Sequence, residues 1–183
     1  MREAVVSVQG LVKRYGSFTA VKQIDISIQQ GEVFGLLGPN GAGKTTTLEC
    51  LEGMRKADSG SLRVAGCDPQ ADDRALRKRL GVQLQSSSLP DNIRVDEALA
   101  LVCAFGGIPL RQELIKKFAI EDLLKKEYRA LSTGQTRRLH LLLALVNNPE
   151  VVILDEPTAG LDVQSRAQLH EEIRRMRDRG VTV

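Results

Sequence analysis

Tryptophan is absent and aromatic residues make up only 3% of the 183-residue sequence, while 42% of it is hydrophobic, so any core must be packed from aliphatic side chains. Cysteine is scarce: Cys50, Cys67 and Cys103 are an odd number spaced far apart. That suggests neither a disulfide framework nor a metal-ligand pair and fits a reducing compartment. Long apolar runs are missing too. The longest uncharged stretch, 98–110, is too short to span a bilayer and is interrupted by Gly106, Gly107 and Pro109. Arg2, Glu3 and polar residues surround the first apolar run, so no secretory leader is read and a soluble chain is expected. Nor is there a strong charge of either sign, the net charge being +3 with 27% charged residues. The most basic stretch, Arg174 to Arg179, lies beside Glu171 and Glu172 at helical spacings and has no interleaved aromatics. It reads as a solvated helix face, and no nucleic acid is expected as a partner.

What is present is patterned like one α/β domain, without internal repeats or low-complexity segments. Ile24, Ile26 and Ile28 alternate with polar residues, predicting a strand with one wet face. Val33 to Leu37 is a nearly unbroken apolar run and predicts a central strand buried on both faces. A helix is expected from Lys44, closing near Gly53. Short strands are expected at Ser61 to Ala65 and Leu80 to Leu84, with a charged helix at Asp72 to Arg79 between them. From Val95 to Asn147 no strand is read. Helical stretches at 96–105, 111–118, 121–126 and 135–146 predict a helical subdomain inserted into the α/β core. Val151 to Leu154 resumes the buried-strand pattern. A helix follows over 163–179 with Gly180 as its C-cap, and Val181 to Val183 read as the opening of another strand.

Two motifs carry chemistry. Gly38-Pro39-Asn40-Gly41-Ala42-Gly43-Lys44-Thr45 fits GxxxxGK[ST] between an expected strand and an expected helix. In that setting small residues let consecutive backbone N–H groups converge on phosphate oxygens at a helix N-terminus. Lys44 would neutralise phosphate charge, the Thr45 hydroxyl would face a magnesium ion, and Thr46 could add a phosphate hydrogen bond. The second motif is the apolar strand that ends in Asp155 and Glu156, beyond the C-terminal end of a parallel strand where functional groups gather. Asp155 would hold magnesium and Glu156 would orient and deprotonate an attacking water. Without the phosphate loop, these acids would be an ordinary solvated strand end.

Leu131-Ser132-Thr133-Gly134-Gln135 lies between the two motifs in chain order, and with it the sequence resembles the ATP-binding subunit of an ABC transporter. The family's signature reads LSGGQ, from which this chain departs only at Thr133. The overall look of 48–53 and 131–138 is similar to the ATPases of drug-resistance exporters. The resemblance implies that Ser132 and Gly134, with Gln135 in the same motif, contact an ATP held by the opposite subunit. It implies that Gln85 senses the γ-phosphate and magnesium, that Tyr15 stacks on adenine, and that Asp162 of Ala159-Gly160-Leu161-Asp162 helps join the subunits. The family has a histidine at the end of the strand that Val181 to Val183 open, a position the given sequence does not reach, and His140 and His170 read as ordinary helix residues.

By the same resemblance the fold is a P-loop NTPase core, a mostly parallel sheet flanked by helices with an N-terminal antiparallel β portion. To it are added an inserted helical subdomain and a C-terminal truncation. The single domain 1–183 would divide into a core of 1–85 and 149–183 and a helical subdomain of 86–148. The implied cofactors are ATP and Mg2+. The implied partners are transmembrane permease subunits and a second ATPase subunit, in a head-to-tail homodimer or pseudo-dimer at the cytoplasmic face of the membrane. The implied activity is ATP hydrolysis driving transport, with export preferred. Two other readings stay open: a soluble cassette ATPase of DNA repair or translation, and a nucleotide-binding module with little turnover.

Overall fold

A computed structural model describes residues 4–71, 73–83 and 89–183. The chain opens with an antiparallel sheet of β1 (Ala4–Tyr15), β2 (Phe18–Gln29) and β3 (Ser59–Val64), in the order β2-β1-β3. The strand expected around Ile24 to Ile28 is the second half of β2. No strand is read from the sequence before it, and the register explains why. Val6 and Val8 point inward from β1, but the pairing shifts between Val8 and Leu11, and Leu11 is the next buried residue. The bulge, with Gly10 at φ 61, reverses the phase of the period-2 pattern halfway along the strand.

Helix α1 (Lys44–Leu51) packs its Cys50 and Leu51 beneath this sheet, and α2 (Asp73–Arg79) leads into β4 (Leu80–Gln83). β4 pairs in parallel with β5 (Val151–Leu154), from Leu80 opposite Val151 to Gln83 opposite Leu154. The expected ends of α2 and β4, Asp72 and Leu84, lie outside the described residues. Between β4 and β5 come α3 (Val95–Gly106), α4 (Gln112–Lys117) and α5 (Thr133–Leu145), and α6 (Val163–Asp178) follows β5. Thr182 pairs in parallel with Val151.

Two aliphatic cores meet at β5. Val151 and Ile153 belong to the cluster under the antiparallel sheet, with Val6, Leu11, Leu51 and Leu76. Val152 belongs to the second cluster, with Leu99, Ile115, Leu139, Leu142 and Met176 of the helices. A strand covered on both sides has no wet face, which is why 151–154 reads as a continuous apolar run.

The same reasoning fails for Val33 to Leu37. This segment forms no strand, and Val33, Phe34 and Leu37 are 46%, 39% and 92% exposed. A central strand needs ladder partners on its edges. Here the segment is held by the Phe34 N–H donating to Val183 O and by the Val183 N–H donating to Glu32 O. The helix expected over 121–126 also shrinks, to a 3-10 turn at Glu121–Leu123. Its carbonyls serve elsewhere: Leu124 O and Lys126 O accept from the N–H groups of Asp96 and Val95, satisfying the open end of α3. A further 3-10 turn at Tyr128–Ala130 precedes α5. Among the described residues no helix is long and apolar enough to cross a membrane.

Candidate functional site

The site begins where the loop after residue 37 turns into α1. Gly43 is the N-cap, in the left-handed region at φ 85 and ψ 11, and no side chain caps the helix. The head of α1 therefore presents its first backbone N–H groups to an external acceptor, with the helix dipole favouring an anion. The loop is pressed against β2, because a Cβ on Gly43 would stand 2.3 Å from Ala20 O. Lys44 Nζ folds back to donate to Gly38 O at 2.9 Å and Pro39 O at 3.0 Å, so the ammonium lies over the loop. Thr47 Oγ1 donates to Gly43 O at 2.8 Å and ties the first turn down.

Facing this loop, Asp155 and Glu156 leave the end of β5. Asp155 is 6% exposed, and its N–H donates to Gln83 O of β4 at 3.0 Å. Thr45 Oγ1 donates to Asp155 Oδ2 at 3.2 Å. A hydroxyl and a carboxylate brought together from α1 and β5 are hard oxygen donors, the kind a magnesium ion takes from protein while phosphates and water supply the rest. Among the described residues no group of three or more His, Cys, Asp or Glu could hold a metal by itself, so a metal here needs oxygens from its ligand. Thr45 and Asp155 fit that requirement. Glu156 adopts φ 45, a conformation costly for a residue with a Cβ and typical of functional sites. Gly38, Lys44, Asp155 and Glu156 open on one cavity of about 410 Å³ whose wall includes the apolar side chains of Val33, Phe34 and Ile153.

Ser132, Gly134, Gln135 and Asp162 lie elsewhere. They line a separate cleft of about 1120 Å³ between α4, α5 and α6. Ser132 is the N-cap of α5: its Oγ accepts from Gln135 N–H at 3.3 Å, while its own N–H donates to Gln135 Oε1 at 2.9 Å. Gln135 thus completes the cap of α5 while it lines the cleft. Arg137 Nη2 reaches Ala159 O at 3.5 Å and links α5 to the turn after Glu156. Tyr15, at the tip of the β1–β2 hairpin opposite Phe18, lines neither cavity. Gln85 lies outside the described residues.

Charged residues of α1 and its C-terminal edge escaped the sequence reading. Glu49 holds Arg55 through two contacts, at 2.6 Å to Nε and 3.2 Å to Nη2. Glu52 is 8% exposed, and among the described residues neither of its carboxylate oxygens has a hydrogen-bond partner. Burial, then the charges of Asp155 and Glu49, push its carboxyl up to about 7. The spacing could have exposed it, since Leu48, Leu51 and Glu52 stand at i, i+3 and i+4, where a helix turns one face inward.

The ABC transporter family matches residues 21–159 of this chain. A Nod factor export ATP-binding protein I from Ralstonia nicotianae is 40% identical over 98% of the chain and 58% of its own length. A daunorubicin resistance ATP-binding protein from Streptomyces coeruleorubidus is 35% identical over 100% of the chain and 60% of its own length. The chain thus spans about three fifths of these curated relatives. Among solved structures, cbiO1 from Clostridium perfringens, described as part of the ABC transporter complex cbiONQ, is 29% identical. It superposes with a TM-score of 0.80 over 99% of this chain and 77% of its own. An ATP-binding subunit of an ABC transporter, 22% identical, gives a TM-score of 0.87 over 97% of this chain and 76% of its own, and shows the shared fold. On the family match and these relatives together, the chain belongs to the ABC transporter family.

Proposed function

We propose that this chain binds and hydrolyses MgATP and so powers transport by separate membrane-spanning subunits, most simply as the ATPase of an exporter. The observation that carries the reading is the separation of the two half-sites: Lys44, Asp155 and Glu156 open on one cavity, Ser132, Gly134 and Asp162 on another. The phosphate loop and the signature thus face different cavities. Two chains set head to tail would bring the loop of one against the signature of the other. The relatives' names, which speak of ATP binding, export and drug resistance, support the same reading.

In this arrangement the amides of 41–46 and Lys44 hold the β- and γ-phosphates, and Tyr15 receives the adenine. Thr45 and Asp155 would hold a magnesium ion, which would supply positive charge against the phosphate oxygens. Glu156 takes a proton from the water that attacks the γ-phosphorus, the bond from that phosphorus to the β–γ bridging oxygen breaks, and ADP leaves. Ser132 and Gly134 of the second copy donate to the γ-phosphate. Gln85 reports its presence to the membrane partner, and Asp162 helps join the two copies. The core is assigned to 1–85 and 149–183 and the helical subdomain to 86–148. Leu101 and Phe105, 48% and 86% exposed one helical turn apart on α3, offer an apolar face for the membrane subunit. The working place is then the cytoplasmic face of the membrane.

A mixing experiment tests the arrangement. Lys44→Ala and Ser132→Arg should each fail to form ATP-dependent dimers alone, because both composite sites are damaged. Mixed, they retain one site made of an intact Lys44 and an intact Ser132 from different copies, so dimers should reappear by light scattering. If the mixture stays monomeric while the unaltered chain dimerises, the head-to-tail assignment is wrong.

A further inference from the structure

The tip of the β1–β2 hairpin holds an arrangement that no motif requires. The Arg55 guanidinium carbon lies 5.3 Å from the centroid of the Tyr15 ring, and Lys13 Nζ lies 5.7 Å from it. Both cations are tethered. Lys13 Nζ donates to Asp58 Oδ1 at 3.1 Å, and Asp58 also accepts from the Arg14 N–H. Arg55 is gripped at two nitrogens by Glu49, and the N–H groups of Met54 and Arg55 both donate to Glu49 O. The side chain and main chain of one glutamate thus fix Arg55 at the end of α1.

Tyr15 itself is 41% exposed at the end of a strand, where a lone ring would swing among rotamers. It also lies beside the phosphate loop. Its partner Phe18 precedes Ala20 by two residues, about 7 Å of extended strand, and Ala20 O is the atom against which Gly43 is pressed. The ring and the loop thus lie along one short stretch of β2, and α1 connects them, beginning at Lys44 and carrying Glu49 before Arg55.

We propose that Arg55, held by Glu49, is a positioning residue for base recognition: it fixes the Tyr15 ring in the orientation against which the purine stacks. This rests on the assignment of Tyr15 to the base in the function proposed above. The guanidinium suits the task, because it is planar, always charged and able to lie over a ring while its edge takes a carboxylate. It touches no reacting atom. Its effect belongs to the base and not to the triphosphate.

The test compares two ligands by calorimetry in the presence of magnesium: ATP, and tripolyphosphate, which has no base. Arg55→Ala and Glu49→Gln should each weaken ATP by about two- to fivefold, the size of an exposed cation–ring contact, and leave tripolyphosphate unchanged. The double variant should be no weaker than either single one, because both act through one contact. Tyr15→Ala should weaken ATP at least as much. An Arg55→Ala chain that keeps full ATP affinity while Tyr15→Ala loses it would overturn the role of Arg55 alone. An equal loss toward tripolyphosphate would mark Arg55 as a merely structural residue of α1 and also overturn the role. Unchanged ATP affinity in Tyr15→Ala would remove the base assignment, and the role of Arg55 with it.

Discussion

Thr45 and Asp155, 110 positions apart, meet through a hydrogen bond of 3.2 Å from hydroxyl to carboxylate. The contact closes the gap between the head of α1 and the end of β5 and sets side by side two oxygen donors that would suit a magnesium ion. Thr45→Val keeps the shape and removes the oxygen donor. It should leave metal-free nucleotide binding little changed while abolishing most of the gain that magnesium gives. Titrations with and without magnesium check this, and a full magnesium response in Thr45→Val would displace Thr45 from the metal.

Glu156 stands one residue beyond Asp155 in a left-handed conformation. That geometry carries its carboxylate out of the strand's alternation, so adjacent acids can serve different tasks. General-base assistance is worth roughly 10²–10⁴ in rate. Glu156→Gln should lower ATP turnover by that order and leave ATP affinity intact, as measured by phosphate release beside equilibrium binding. Turnover within a fewfold of the unaltered chain would take the base role away from Glu156.

Much of this site could be read from the residues because each part obeys a local rule. The loop from Gly38 to Thr45 declares itself by small residues before a helix, and β5 by an apolar run ending in two acids. The features that stayed hidden depend on partners distant in sequence. Val33 to Leu37 carries the composition of a buried strand, but composition does not supply a ladder, and three of its residues are 39–92% exposed. β1 hides its period behind a bulge at Gly10. Residues 121–126 have helical character, but two of their carbonyls are needed at the start of α3. Arg55 has no motif, and its place over Tyr15 follows only from the packing of α1 against the hairpin.

Gly43 should be intolerant of any side chain, for two separable reasons. Its φ of 85 costs a residue with a Cβ about 1–2 kcal/mol, and the added Cβ would collide with Ala20 O at 2.3 Å. Gly41 has a similar φ of 80 but meets nothing within 4 Å. Gly41→Ala should thus lose only the backbone cost, and Gly43→Ala clearly more, with the loop pushed off β2. Urea unfolding of the two variants checks the ordering. Equal losses would mean that the contact with Ala20 contributes nothing.

Glu52 makes the folded chain sensitive to pH. In the unfolded chain its carboxyl titrates near 4.5, but in the fold burial and the neighbouring Asp155 and Glu49 raise it to about 7. Below 4.5 both states hold the proton, so its ionisation costs no stability there. As the pH rises from 4.5 to 7 the unfolded chain releases the proton while the folded chain retains it, and stability falls across that window. Above 7 both are ionised and the loss is complete, on the order of 3 kcal/mol at 1.36 kcal/mol per unit. Glu52→Gln removes the titration and keeps the shape. It should be more stable than the unaltered chain at pH 8, with an advantage that shrinks toward pH 4.5. Urea unfolding at a series of pH values measures the difference directly. An advantage that stays constant across 4.5 to 8 would show that Glu52 does not retain its proton in the fold, and that its buried oxygens are satisfied in solution.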